Sequence, residues 1–343
     1  MQKINVGVVG VGSIGKAKHL VSHREVEGVS VIAVCDIDEE RARYCAHDYD
    51  IEHVFTDYHQ LIAMPEIDAV SVCTPNNFHA APTIAALNAG KHVICEKPLA
   101  GNAEDGQAMV NAARASGKIL QIGLQSRFGK GARTLRKLWE EGLFGDVYYA
   151  RAVTMRRRGM GLSPTFMVKS ISGGGPLIDI GVHELDVLLW MIGCPKPVEV
   201  FGSVAQRFGH RHDIVNPVDW DRAKYDVEDF AMGTIRFEDG LTVTLESAWA
   251  AHIENTGTTF FMGDLAGATY HPLCIYTDKD GHLVEYKPEF APDTPGEFES
   301  FHKAIREGLP SPVPAEEVLL TTKIFDAIYE SARIGRSVPI TYV

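Results

Sequence analysis

Val6-Gly7-Val8-Val9-Gly10-Val11-Gly12-Ser13-Ile14-Gly15 sets a Gly-x-Gly-x-x-Gly turn between an apolar run and a helical stretch. The run Ile4–Val9 reads as a strand, and residues from Gly15 to Arg24 read as the helix that follows. Gly10 allows the tight turn, Gly12 lets a pyrophosphate approach the backbone, and Gly15 lets helix pack on strand. The helix start presents unpaired N–H groups and the positive end of its dipole to phosphates. Such a turn can also exist without a ligand. Here the strand–turn–helix context holds, and Asp36 ends the next strand, Val29–Cys35, at the distance a dinucleotide site requires. Ser13 and Ile14 inside the turn, and Ile37 beside Asp36, complete the expected contacts. A carboxylate at Asp36 can accept from both ribose hydroxyls and repels a 2′-phosphate. The run Asp36-Ile37-Asp38-Glu39-Glu40 has no adjacent base, which favours NAD over NADP. Arg41 is the nearest base.

Outward from this turn, the first third alternates short apolar runs with helical stretches. Further strand-like runs are 69–73, 92–95 and 119–122, with helical patterns at 39–49, 77–89 and 103–115. Continuous apolar strands alternating with helices predict a parallel sheet covered on both faces. After Gly123 the pattern changes. A helix is expected over 131–141, then long runs at 147–155, 198–204, 230–237 and 241–249, with a hairpin turn at Glu238-Asp239-Gly240. These runs alternate apolar and polar residues, as an antiparallel sheet with one covered face requires. A helix near 180–190 interrupts them. The fold class is therefore α/β: a Rossmann-type parallel-sheet domain over 1–123, then an α+β substrate and oligomerisation domain over 124–343 with a large open, mostly antiparallel sheet. Its C-terminal helices span 297–335. Thr294-Pro295-Gly296-Glu297 reads as a capping box for the first of them. Pro314 and Gly335 bracket the second.

Composition is that of an ordinary water-soluble protein: 343 residues, 45% hydrophobic and 23% charged, long enough for two domains. The net charge of −12 argues against nucleic acid or an anionic membrane as partner. No apolar run is long enough to span a bilayer. The opening residues Met1–Gly7 read as strand and turn without a signal-peptide pattern. Six cysteines without a CxxC pair read as reduced core residues, so a cytoplasmic location is expected.

Two further motifs carry chemistry. Glu96-Lys97-Pro98 ends an apolar run, which puts an ammonium at the carboxyl edge of the sheet, where ligands bind. Cys73-Thr74-Pro75-Asn76-Asn77-Phe78-His79 follows another strand on that edge. Thr74, Pro75, Asn77, His79, Glu96 and Lys97 are therefore added to the cofactor-binding candidates. In the second domain Gly173-Gly174-Gly175-Pro176 precedes a helix carrying Asp179 and His183, four apart and on one face. An imidazole with a proton affinity near neutrality suits abstraction of a hydroxyl proton as hydride leaves carbon. Asp179 can orient it or bind a neighbouring hydroxyl, and Lys97 can stabilise charge on the same oxygen. An isolated pair of this kind would equally be a helix cap and a core filler. His183-Glu184-Leu185-Asp186 does not match HExxH, so no metal is expected, and Asp186 reads as a structural hydrogen-bond partner. Arg156, in Arg156-Arg157-Arg158-Gly159, runs toward the glycine loop and is a substrate-contact candidate. Trp190 and Trp249 read as core residues.

Taken together, Gly10-x-Gly12-x-x-Gly15, Thr74-Pro75-Asn76-x-x-His79, Glu96-Lys97-Pro98, Asp179-Ile180-Gly181-Val182-His183 and Tyr329-Glu330-Ser331-Ala332-x-x-Gly335 resemble the glucose–fructose oxidoreductase / inositol dehydrogenase (Gfo/Idh/MocA) family across nearly the whole chain. The resemblance implies a Rossmann domain followed by a large open sheet, and oxidation or reduction of sugars, polyols or cyclitols with NAD(P). It carries the family's lysine onto Lys97 and its aspartate and histidine onto Asp179 and His183. All three are then catalytic and, with Arg127 and Arg156, substrate-binding. Arg127 stands alone where many members have an adjacent basic pair. A homodimer or homotetramer is implied. Two competing readings are an NAD-dependent glycoside hydrolase using transient oxidation and a non-catalytic NAD/sugar-binding regulator.

Overall fold

The computed structural model describes residues 2–160 and 164–342. Met1, part of the expected opening segment, lies outside them. The first sheet is built from β1 (Ile4–Val9), β2 (Val29–Cys35), β3 (His53–Phe55), β4 (Ala69–Val72), β5 (His92–Glu96) and β6 (Leu120–Gly123). Their order is β3-β2-β1-β4-β5-β6, and every pairing is parallel. β4 and β6 are buried at every residue, as expected of strands covered on both faces. The order reverses between β1 and β4, and the carboxyl ends there carry the Gly10 turn and Cys73-Thr74. This is the switch point at which sheets of this winding take their ligand.

The second sheet contains β7 (Val147–Met155), β8 (Pro197–Ala205), β9 (Phe230–Phe237), β10 (Thr242–Ala248), β11 (Thr256–Gly263), β12 (Ala266–Thr269), β13 (Cys274–Lys279), β14 (His282–Tyr286) and β15 (Val338–Pro339). Their order is β14-β13-β12-β11-β7-β10-β9-β8-β15, antiparallel except for β7 with β10. β9 is buried at alternate residues, the half-covered strand its sequence period predicts. Strands β11 to β15 were not expected. They are short, rich in Thr and Gly, or mixed polar and apolar without regular alternation.

The chain divides into two compact units, Met1–Leu124 with Pro295–Leu319, and Gln125–Thr294 with Leu320–Val343. The expected assignment of all of 124–343 to one domain is corrected for 295–319. Phe298 and Phe301, on the helix Glu297–Glu307, join the core cluster of Ile4, Leu20, Val31 and Ile94. The expected capping box is also absent. Gly296 is the N-cap and supplies no side-chain bond, while Glu297 pairs with Lys18. The second tail helix, Ala315–Ile334, ends before Gly335 at positive φ, as read from the sequence.

Candidate active site

In the first unit the carboxyl ends of β2, β1, β4 and β5, adjacent in that order, bring the cofactor candidates together. Gly10 has φ of 90° and its added Cβ would lie 2.7 Å from the Cys73 backbone. A Cβ on Gly15 would lie 2.1 Å from the Gly10 carbonyl oxygen, whereas one on Gly12 would meet nothing within 4 Å. Two of the glycines thus serve the fold, and Gly12 faces open space suited to a pyrophosphate. The helix that follows opens with a π-type stretch, Gly15–Leu20, before Val21–Arg24. Asp36 is nearly buried; its Oδ2 accepts from Val11 N–H at 3.0 Å and its Oδ1 from Asp38 N–H at 3.0 Å. The Arg41 guanidinium reaches Asp36 Oδ1 at 3.2 Å. Ile14 and Ile37 are exposed beside these groups, Ile37 at 94%. An open cradle at Gly12, a buried carboxylate just past the end of β2 and exposed apolar side chains beside it fit a dinucleotide.

Two of the expected cofactor residues have other partners. His79 is fully buried, its Nδ1 2.8 Å from the Pro98 carbonyl and its Nε2 2.9 Å from that of Thr74. Burial lowers its proton affinity against the pull of both carbonyls. It ties the Thr74 turn to the segment after Lys97. Thr74 and Asn77 lie at the same turn: Thr74 Oγ1 donates to the Phe78 carbonyl at 2.9 Å, and a Cβ on Gly101 would collide with Asn77 Oδ1. Glu96 is likewise turned inward. Its Oε1 lies 2.9 Å from both His19 Nε2 and Lys18 Nζ, and its Oε2 accepts the Lys97 N–H at 3.0 Å. Burial opposes its charge, but His19 and Lys18 hold it well below the usual carboxylate range. Lys97 itself is half-buried.

In the second unit the glycine loop is held from below by Glu228. Its carboxylate accepts the Gly175 N–H at 3.0 and 2.9 Å, the Leu177 N–H at 3.3 Å and the Tyr329 hydroxyl at 2.9 Å. A Cβ on Gly174 would lie 2.0 Å from Tyr329 Oη, and one on Gly175 2.0 Å from the Glu228 carbonyl. The loop leads into a π-type turn, Leu177–Gly181, and the helix Val182–Met191. Asp179 lies inside that turn and does not cap it; its Oδ2 accepts the Trp249 indole N–H at 2.9 Å. Trp249 is fully buried, as expected, but also orients this carboxylate. Asp179 and His183 are both half-buried.

Arg127, expected at the substrate, is buried against Asp186. It is 3% exposed and forms a bidentate pair with Asp186, Nε to Oδ2 at 2.8 Å and Nη2 to Oδ1 at 2.7 Å. Asp186 is the structural partner the sequence suggested. Arg156 stays half-buried past the end of β7, with its N–H donated to the Ala248 carbonyl. Sequence reading missed Glu228, Tyr329 and Trp249 as supports. Each lies at least 51 residues from the group it holds in the loop or turn, and no local spacing connects them.

Comparison with known proteins agrees with this layout. The profile of the oxidoreductase family with an NAD-binding Rossmann fold matches residues 4–124, and that of the GFO/IDH/MocA C-terminal domain matches 132–268. D-glucoside 3-dehydrogenase of Escherichia coli is 33% identical, over 98% of this chain and 97% of its own. Inositol 2-dehydrogenase of Salmonella typhimurium is 27% identical, over 97% and 96%. The solved structure of levoglucosan dehydrogenase with NADH and levoglucosan superposes with a TM-score of 0.84 at 26% identity, over 99% of this chain and 100% of that one.

Proposed function

The chain belongs to the GFO/IDH/MocA family of oxidoreductases with an NAD-binding Rossmann domain, and from that membership we propose an NAD-dependent dehydrogenase acting on a ring carbinol of a sugar, polyol or cyclitol. The observation that carries this reading is the near full-length similarity to D-glucoside 3-dehydrogenase; the motif resemblance that carries the family's lysine, aspartate and histidine onto Lys97, Asp179 and His183 supports it.

NAD when bound supplies the acceptor for the hydride that leaves the carbinol carbon. Gly10, Gly12, Ser13, Ile14, Gly15, Asp36 and Ile37 would hold its adenosine and pyrophosphate portions. The chain's remaining task is the hydroxyl proton. His183 takes it, Lys97 stabilises negative charge on the oxygen, and Asp179, oriented by Trp249, binds a neighbouring hydroxyl or steadies the imidazole. Arg156 is assigned to substrate. An imidazole must be unprotonated to accept a proton, so turnover falls as pH drops.

The direct test is NADH formation at 340 nm with a panel of glucosides, aldoses and cyclitols. Steady NADH production supports the reading, and a panel without turnover on any ring carbinol removes it. NAD should be preferred over NADP. Arg41, 3.2 Å from Asp36, tempers that preference without reversing it, because the Asp36 charge would still repel a 2′-phosphate. Asp36→Ala combined with Ile37→Arg should move the preference toward NADP, as read from kcat/KM with each cofactor.

A further inference from the structure

Behind Glu96 lies a row of buried polar groups that the proposed reaction does not use. His19 Nδ1 lies 2.5 Å from Ser71 Oγ, and Ser71 Oγ lies 3.1 Å from His23 Nε2. His23 Nδ1 lies 2.8 Å from His302 Nε2. All four residues are fully buried, and Phe298 packs edge-on against the rings of His19 and His23. With the bonds from His19 to Glu96 and from Lys97 N–H to Glu96, the row is continuous from the helix Glu297–Glu307 to the end of β5. It terminates at His302 Nδ1, which is buried with no partner among the described residues.

The direction of this row follows from its protons. Ser71 has one hydroxyl proton, two imidazole neighbours and the Cys73 thiol beside it; burial keeps that thiol protonated, so it can donate to the hydroxyl oxygen, and Ser71 donates to one imidazole and accepts from the other. An ionised Glu96 accepts from His19 Nε2–H. A neutral His19 then has a bare Nδ1, which takes the Ser71 proton, and Ser71 accepts from His23 Nε2–H. His23 Nδ1 is bare in turn and accepts from His302 Nε2–H. The opposite direction needs one more proton: His19 becomes an imidazolium, the bonds beyond it reverse, and His302 ends in a buried N–H without an acceptor. An orphaned buried N–H is rarer and more costly than an under-used lone pair.

We propose that His302, His23, Ser71 and His19 form a one-way hydrogen-bond chain, each ring neutral with its proton on Nε2, that orients the Glu96 carboxylate and through it the backbone N–H of Lys97. These four are positioning residues, and the functional part of the proposal rests on Lys97 as a group of the reaction. The charged and titratable groups facing the chain are Lys18 and Glu297 at the Glu96 end, Cys73 beside Ser71, and Arg306 near His302. Burial and the Arg306 charge push His302 down to about 4, and burial with the neighbouring rings pushes His23 well below its ordinary value, both on the side of neutral rings.

The test has two independent readouts. Histidine-selective ¹⁵N NMR of the full chain at pH 7, assigned with single-site variants, should find His19, His23 and His302 neutral with the proton on Nε2. A protonated His19, or a proton on His302 Nδ1, overturns the direction. For function, Ser71→Ala and His302→Leu should each lower kcat by at least about tenfold, as misplacement of a reacting group does, with the NAD dissociation constant little changed. His302→Gln, whose amide can still donate to His23 Nδ1, should restore turnover. Wild-type kcat in both Ser71→Ala and His302→Leu, or failure of His302→Gln to exceed His302→Leu, overturns the positioning role. If no ring carbinol is turned over at all, the dehydrogenase reading fails, and the NMR tautomers still decide the chain.

Discussion

Glu96 and Glu228 perform similar tasks in the two units by opposite means. Each is a carboxylate with about a twentieth of its surface exposed, and each supports a segment carrying a residue assigned to the hydroxyl proton. Glu96 faces Lys18 and His19, and stays ionised in spite of burial. Glu228 faces backbone N–H groups and the Tyr329 hydroxyl with no cation among these partners, and burial raises its proton affinity. A buried charge is kept by nearby opposite charge more surely than by dipoles alone. The Lys97 end of β5 is therefore held by an electrostatic clamp, and the glycine loop before Asp179 by a hydrogen-bond cradle.

The largest effects should come at the residues the two supports carry. Lys97→Ala and His183→Ala should each lower kcat by ~10²–10⁴, with the NAD dissociation constant largely kept. Near-normal kcat in both variants would remove the chemistry the two carboxylates are taken to support. Loss of NAD binding instead would make these residues cofactor or structural groups.

Next in size is the contrast between the supports. Glu96→Gln leaves Lys18 and His19 around a neutral amide, and breaking such a buried pair costs about 3–5 kcal/mol. Glu228→Gln keeps a carbonyl to accept the Gly175 and Leu177 N–H groups and should cost only about 1 kcal/mol, the scale of a neutral hydrogen bond. Urea unfolding of both variants at pH 7 measures the difference. Equal costs would mean that the Lys18 charge does not distinguish the two sites.

The pH dependence sharpens the same contrast with smaller shifts. The folded proton affinity of Glu96 is depressed, so its contribution is present above the ordinary glutamate value of 4.5 and is lost as pH falls below it. That of Glu228 is raised, so its contribution is present below 4.5 and is lost as pH rises through the folded value. The stability gap between wild type and Glu96→Gln should narrow toward acid, while wild type should lose ground to Glu228→Gln as pH rises above 4.5. Parallel slopes in urea titrations across this range would break the comparison.

The smallest expected effect concerns Trp249. Trp249→Phe removes the indole N–H from Asp179, a bond to a charged group worth about 1.5–3 kcal/mol. If Asp179 acts in turnover, kcat should fall by about tenfold or more while thermal stability drops modestly. A stability loss without a kcat change would leave Asp179 outside the reaction.

Sequence alone determined whatever is written in local period and spacing. The Gly10–Gly15 turn, Asp36 at the end of β2, Lys97 at the end of β5, the Asp179 and His183 spacing and the parallel character of the first sheet were all legible. Each follows from residues within one strand–turn–helix unit. The period of β9 and β10 was equally clear, because one face of each is covered. Tertiary structure alone decided the rest. It carried Phe298 and Phe301 back to the first core, 294 or more residues after β1 begins in sequence at Ile4, because their apolar rings fill space that β1 and its helix leave open. It turned Glu96 and His79 inward, paired Arg127 with Asp186, and set Glu228 under a loop 53 residues earlier. It also brought His302 to His23 across 279 residues. A buried polar side chain takes whichever partner the packed chain places within reach, and distance along the sequence carries no record of that partner.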